Sequence, residues 1–192
     1  MSNLSPELHC LRWWQTMFLP AEQLKEFGLQ AAPTLYKAQL KRCDCLSAIM
    51  LTEGFRALWL SFPAEAIETA TERDFECWAT LAAVLVYVKK DSKQKLAQAA
   101  GSKTEGDKSV VSELRFAQLQ DATTAEEFLR RMRRILQQVD NQVSVTALIK
   151  DVQRWFAEHH SFRPDRTDKR IVVEWAMDYY RAASAKKSKT PN

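Results

Sequence analysis

The chain has 192 residues, 46% of them hydrophobic, and a formal net charge of +4. That length suits one large domain or two small ones, with enough apolar residues for a core. Gly is scarce at 4 and Pro at 6, and no stretch alternates with period two, so a sheet is disfavoured and an all-α fold is expected. A helix begins after Ser5, a capping residue, with Pro6 at the first helical position, and runs over 5–19. Leu8, Leu11, Trp14 and Phe18 recur along it at helical spacing. A short helix over 20–31 follows, and Pro33 opens another through Cys43. Lys37, Lys41 and Arg42 gather toward the end of that segment.

Cys45 to Met50 reads as one helical turn, and Thr52 caps a helix that stops at Pro63. Thr71 caps a longer helix over 72–90, with Phe75, Trp78, Leu81, Leu85 and Val88 on one face. Residues 101–109, with two glycines and small polar residues, read as a flexible loop or linker. The expected organisation is two small helical bundles packed together, residues 1–100 and 110–183, followed by a disordered tail over 184–192. In the second half, helices are expected over 110–120, from Thr124 to about Val139, from Ser144 to about Phe156, and from Asp168 to about Ala183. Thr124-Ala-Glu-Glu127 has the form of a capping box.

Charge is distributed unevenly. Up to residue 108 there are 13 basic and 13 acidic side chains; from 109 onward there are 15 and 11. Most of the basic residues in the second half are Arg, whose fork suits phosphate. The densest run is Leu129-Arg-Arg-Met-Arg-Arg-Ile-Leu136. At about 100° per residue, Phe128, Leu129, Met132, Ile135, Leu136 and Val139 share the core-facing arc. Arg130 and Arg134 fall opposite it, and Arg131 and Arg133 flank it. Glu126 and Glu127 can pair with Arg130 and Arg131. Arg133 and Arg134 have no acid three or four residues away, which leaves them to meet a polyanion. Arg115, Lys150 and Arg154 could extend the surface. Lys169 and Arg170 sit at the expected start of the last helix, where a positive charge is uncomfortable unless an anion approaches.

Signals for chemistry are missing. The four cysteines make no C-x-x-C pair, His159 and His160 are adjacent rather than one turn apart, and there is no glycine-rich phosphate loop. No catalytic residue, metal or cofactor is expected, and the six tryptophans are expected in the core. The N-terminus has no signal-peptide pattern. The longest apolar run, 81–88, is well short of the about 20 residues that span a bilayer, so a cytoplasmic protein without membrane contact is expected.

Ordered segments resemble the CasB family, the small subunit of the type I-E CRISPR surveillance complex Cascade. They are Arg12-Trp13-Trp14, Ala38-Gln-Leu-Lys-Arg-Cys-Asp44, Phe55-Arg-Ala-Leu58 and Val111-Ser-Glu-Leu-Arg-Phe-Ala-Gln-Leu119. The arginine run, Val143-Ser-Val-Thr-Ala-Leu148 with Trp155, and Trp175-Ala-Met-Asp-Tyr-Tyr180 complete the series. The resemblance implies a non-enzymatic, all-helical subunit of two bundles. It implies as partners the backbone and large subunits of Cascade, a second copy of itself, guide RNA, and target DNA, chiefly the displaced strand. Basic positions matching the family pattern are Lys41, Arg42, Arg115, Arg130, Arg131, Arg133, Arg134, Lys169 and Arg170. Members often carry Arg just before the last Trp, where this chain has Glu174. The alternative is a helical protein-interaction adaptor without nucleic acid, which requires the arginines of 130–134 to be paired with acids.

Overall fold

The computed structural model describes residues 4–161 and 166–185. Residues 162–165, between the last two expected helices, and the tail from 186 onward lie outside them. The described residues form an all-α fold of twelve helices with one pair of two-residue strands. The first six helices are α1 (Pro6–Phe18), α2 (Ala21–Glu26), α3 (Thr34–Arg42), α4 (Leu46–Met50), α5 (Glu53–Trp59) and α6 (Ala64–Glu68). Then come α7 (Glu72–Leu85), α8 (Leu96–Gly101), α9 (Glu113–Gln120), α10 (Ala125–Gln138), α11 (Val145–His159) and α12 (Ile171–Ser184).

Local chemistry sets the helix ends. Ser5 caps α1 with Pro6 at its first position, and Thr52 and Ser144 cap α5 and α11. At α7 the Thr71 amide donates to Asp74 Oδ2 at 2.9 Å, and the Asp74 amide returns a bond to Thr71 Oγ1 at 3.3 Å, a full capping box. At α10 only half of the expected box forms. The Glu127 amide donates to Thr124 Oγ1 at 3.2 Å, but the Glu127 carboxylate takes the Thr123 amide. Helix α2 is shorter than the expected 20–31. Gly28, at φ +64°, lets its own amide reach Lys25 O and the Leu29 amide reach Leu24 O at 2.8 Å, closing a Schellman motif. Helix α9 starts at Glu113, not at 110, because the Val110 and Val111 amides donate to Ser102 O and Ala100 O instead.

The core is built around α7. Its residues 79–85 are all buried, and such a helix, apolar all round, must be covered on every side. Helices α1, α3, α4, α5, α10 and α11 all contact it. Helix α7 ends at Leu85, earlier than the expected residue 90. The chain continues through Val88 into β1 (Lys90–Asp91), which pairs in parallel with β2 (Gln142–Val143) just after α10. Helix α8 packs along α12, the most extensive contact between two helices among the described residues. Residues 101–109, expected as a flexible linker, begin inside α8 with Gly101 and continue as a bonded turn. The Thr104 amide donates to Lys108 O at 2.7 Å and the Val110 amide to Ser102 O at 2.8 Å.

The buried face of α1 is rotated from the expected stripe. Trp13 and Trp14 are both buried, and their indoles find partners there, donating to Gly54 O at 3.0 Å and Val88 O at 2.8 Å, bonds that local periodicity does not encode. The inner stripes of α10 and α11 are as expected, from Phe128 through Leu136 and from Val145 through Phe156. All six tryptophans are buried or packed against the core.

Candidate nucleic-acid interface

Helices α9 and α10 pack side by side, and between their exposed edges runs a groove of about 360 Å³. Arg115, Arg131 and Arg134 line it, with the side-chain amides of Gln118, Gln137 and Gln138. Three of the expected site residues therefore meet at one surface. Arg115 donates to Gln138 Oε1 at 3.2 Å across the groove. Arg131 donates to Gln118 O on α9 and pairs with Glu127 at 3.5 Å. Arg134 and Arg130 are exposed, and neither has an ion-pair partner among the described residues. The expected pair of Glu126 with Arg130 is absent among the described residues. The groove thus holds two partly engaged guanidinium groups and one free one, with Arg130 on the turn beside Arg134.

Arg133 departs from its expected role. It does not project toward a polyanion but turns inward. Its Nη1 donates to Cys43 O at 2.7 Å, its Nη2 to Leu40 O at 3.0 Å and its Nε to Ala83 O at 3.2 Å. Its guanidinium carbon lies 5.1 Å from the centre of the Tyr87 ring. Burial pushes its pKa below the ordinary arginine value, and the carbonyls supply the hydrogen bonds that a buried guanidinium requires. The absence of a nearby acid in sequence reflects acceptors supplied by main-chain oxygens, not freedom to bind an anion.

Lys41 and Arg42 end α3 and are exposed. Lys41 Nζ stands 5.7 Å from the centre of the same Tyr87 ring. Burial first, then the charges of Lys89 and Lys37, hold its pKa below the ordinary lysine value. Lys41, with Lys89 and Lys37 near enough for their charges to act on it and Arg42 next in sequence, forms a second basic cluster beside Arg133. The sequence does not single out Lys89 or Tyr87. They lie in the turn after α7, off any amphipathic stripe and over 40 residues from α3, so no local signal could have found them.

Lys169 and Arg170 are exposed but do not line the groove. They precede α12 and do not open it: a 3-10 turn at Thr167–Lys169 comes first, and Asp168 pairs with Arg166 at 3.1 Å. The anion at the positive end of α12 is internal, since the Glu158 carboxylate accepts from the Ile171 amide at 2.8 and 3.0 Å. Arg154 is also consumed internally. It meets Glu174 at 2.6 Å, and Glu174 accepts from Lys95 at 3.2 Å. The Arg154 side-chain hydrogen bond to Glu174 is the main reason that the Glu174 pKa falls below the usual carboxylate range. The acid standing before Trp175 is therefore an internal anchor for two cations.

No group of three His, Cys, Asp or Glu residues that could hold a metal occurs among the described residues. The four cysteines are free, and burial pushes the Cys77 thiol up to about 12. No helix among the described residues is long and apolar enough to cross a membrane.

An all-α protein with an arginine-lined groove on its penultimate helix pairs is the class that these features define. A family model described as CRISPR-associated protein Cse2 matches residues 36–180, from inside α3 to inside α12. The chain belongs to that family, and so is a CRISPR-associated subunit of a Cascade complex, assembled with other Cascade subunits. Comparison with curated proteins and with solved structures gives no significant match.

Proposed function

We propose that the chain is the non-catalytic, cytoplasmic small subunit of a type I-E guide-RNA surveillance complex, and that it holds nucleic acid without reading sequence. Its two packed helical bundles, 1–100 and 110–183, meet the backbone and large subunits and a second copy of the chain. Its basic face takes the backbone of the guide RNA–target DNA hybrid and of the displaced strand. Sequence choice rests with base pairing. Opening a duplex against a guide is nearly balanced, so contacts to phosphate can tip it. A basic groove follows a single strand whatever its bases.

The observation that carries this reading is the α9–α10 groove, where Arg115, Arg131 and Arg134 converge and Arg134 has no acid partner among the described residues. An adaptor without nucleic acid requires these arginines to be neutralised by acids, and among the described residues only Arg131 is. Lys41, Arg42 and Arg130 extend the surface. Lys169 and Arg170 form a separate contact point near the start of α12. Arg133 is not a contact residue.

The test is co-expression with Cascade subunits and a guide RNA, comparing wild type with Arg130→Glu/Arg134→Glu. Both side chains are exposed, so the fold and assembly should persist while target-DNA retention falls. For the isolated chain on single-stranded DNA, replacing two phosphate contacts should flatten the log–log salt slope by about 1.4. Unchanged retention together with salt-independent binding would reject the proposal.

A further inference from the structure

We infer that Arg133 is a positioning residue that sets the α3 cations Lys41 and Arg42 in register with the arginine groove of α10. The inference rests on the nucleic-acid reading above. Arg133 belongs to α10, whose exposed side carries Arg130 and Arg134. Two of its three hydrogen bonds end on Leu40 O and Cys43 O, 3.0 and 2.7 Å away. Those two carbonyls bracket Lys41 and Arg42 in sequence, so one rigid fork grips the backbone on both sides of the cation pair. The third bond, to Ala83 O at 3.2 Å, fixes the fork to the central helix α7.

The grip has a local rationale. The final carbonyls of a helix lack intrahelical donors and carry partial negative charge. A guanidinium satisfies several at once with fixed geometry, which an ammonium cannot do. Tyr87 completes the joint, because its ring lies near both the Arg133 guanidinium and the Lys41 ammonium. Burial first, and then repulsion by Lys89 and Lys37, disfavour the Lys41 charge there. Without the fork, the end of α3 can swing its two cations away from the α10 surface and relieve that repulsion. A strand crossing both clusters would then lose its α3 contacts while keeping those in the groove.

Single-strand DNA binding is measured over a salt series for wild type, Arg133→Lys, Lys41→Gln/Arg42→Gln, and the combination. Arg133→Lys keeps a buried cation and one or two of the three bonds, so the helical signal should persist; Arg133→Met serves as the stronger variant if it folds. The expected result is that Arg133→Lys lowers affinity and flattens the salt slope by as much as the Lys41/Arg42 variant, about 1.4. On the Lys41→Gln/Arg42→Gln background it should add nothing. A merely structural role lowers the melting temperature on every background but leaves the two slopes unlinked. If wild type binds and Arg133→Lys leaves the slope unchanged, or its effect adds fully to the double variant, this inference fails alone. If wild type does not bind at low salt, the nucleic-acid reading fails and this inference falls with it.

Discussion

Asp151 shows how one residue ties the core to solution conditions. It lies on the buried stripe of α11 and accepts from the Trp175 indole at 2.9 Å. Burial outweighs that bond and raises its pKa from 3.8 to about 6. Between those values the folded chain holds a proton that the unfolded chain has released. Stability contributed by this group therefore falls as pH rises from about 4 to about 6, by up to about 3 kcal/mol. Asp151→Asn keeps an acceptor for Trp175 and removes the titration. The melting temperature of Asp151→Asn relative to wild type should climb between pH 4 and pH 7, and a constant offset across that range would refute the assignment. The sequence shows Asp151 only as an acid on an apolar face. Its partner is 24 residues away, so its state was not legible there. Arg133 was misjudged for the same reason: its acceptors lie 50 to 93 residues upstream.

At the scale of elements, the long amphipathic helices α10 and α11 were legible because their apolar residues repeat at helical period over four turns. Helix ends were legible where a side chain supplies the cap, as at Ser5, Thr52, Thr71 and Ser144. Ends governed by tertiary bonds were not. Helix α7 stops where the chain turns to join β2, and α12 starts where Glu158 presents its carboxylate. The α8–α12 contact shows a further limit. Gly101 suggested a linker, yet it permits close packing: a Cβ there would sit 2.2 Å from Tyr179 O and 2.9 Å from Tyr179 C. Both obstructing atoms are backbone, so neither can rotate away. Gly101→Ala should lose about 1–3 kcal/mol through overpacking, despite the better helix propensity of Ala. Chemical denaturation checks this, and a variant as stable as wild type would show that α8 and α12 can separate at no cost.

At the scale of the molecule, one continuous cluster of buried residues runs from Cys10 on α1 to Tyr179 on α12. Helix α7 contributes to it on all sides, and Trp14, Arg133 and Tyr179 each bond main-chain carbonyls in distant segments. Thermal unfolding should therefore be a single transition, with helical circular dichroism and tryptophan fluorescence coinciding. Two separated transitions would show that the two proposed bundles melt independently. For the site, the sequence displayed the cations of α10 in full, since four arginines in five positions need no structure to be noticed. It did not display which of them face outward, how Arg115 meets them, or that Lys89 and Tyr87 stand beside Lys41.

The acceptors of Arg133 are all main-chain oxygens, which every kind of residue supplies. The joint between α3, α7 and α10 therefore concentrates its chemical demand on a single codon. As far as these bonds are concerned, positions 40, 43 and 83 can exchange side chains that suit the core without a compensating change elsewhere. Position 133 has no such latitude, because no other side chain offers several donors in a rigid plane. Pairwise covariation between position 133 and positions 40, 43 or 83 would therefore miss the joint, because the bonds place a side-chain demand on Arg133 alone.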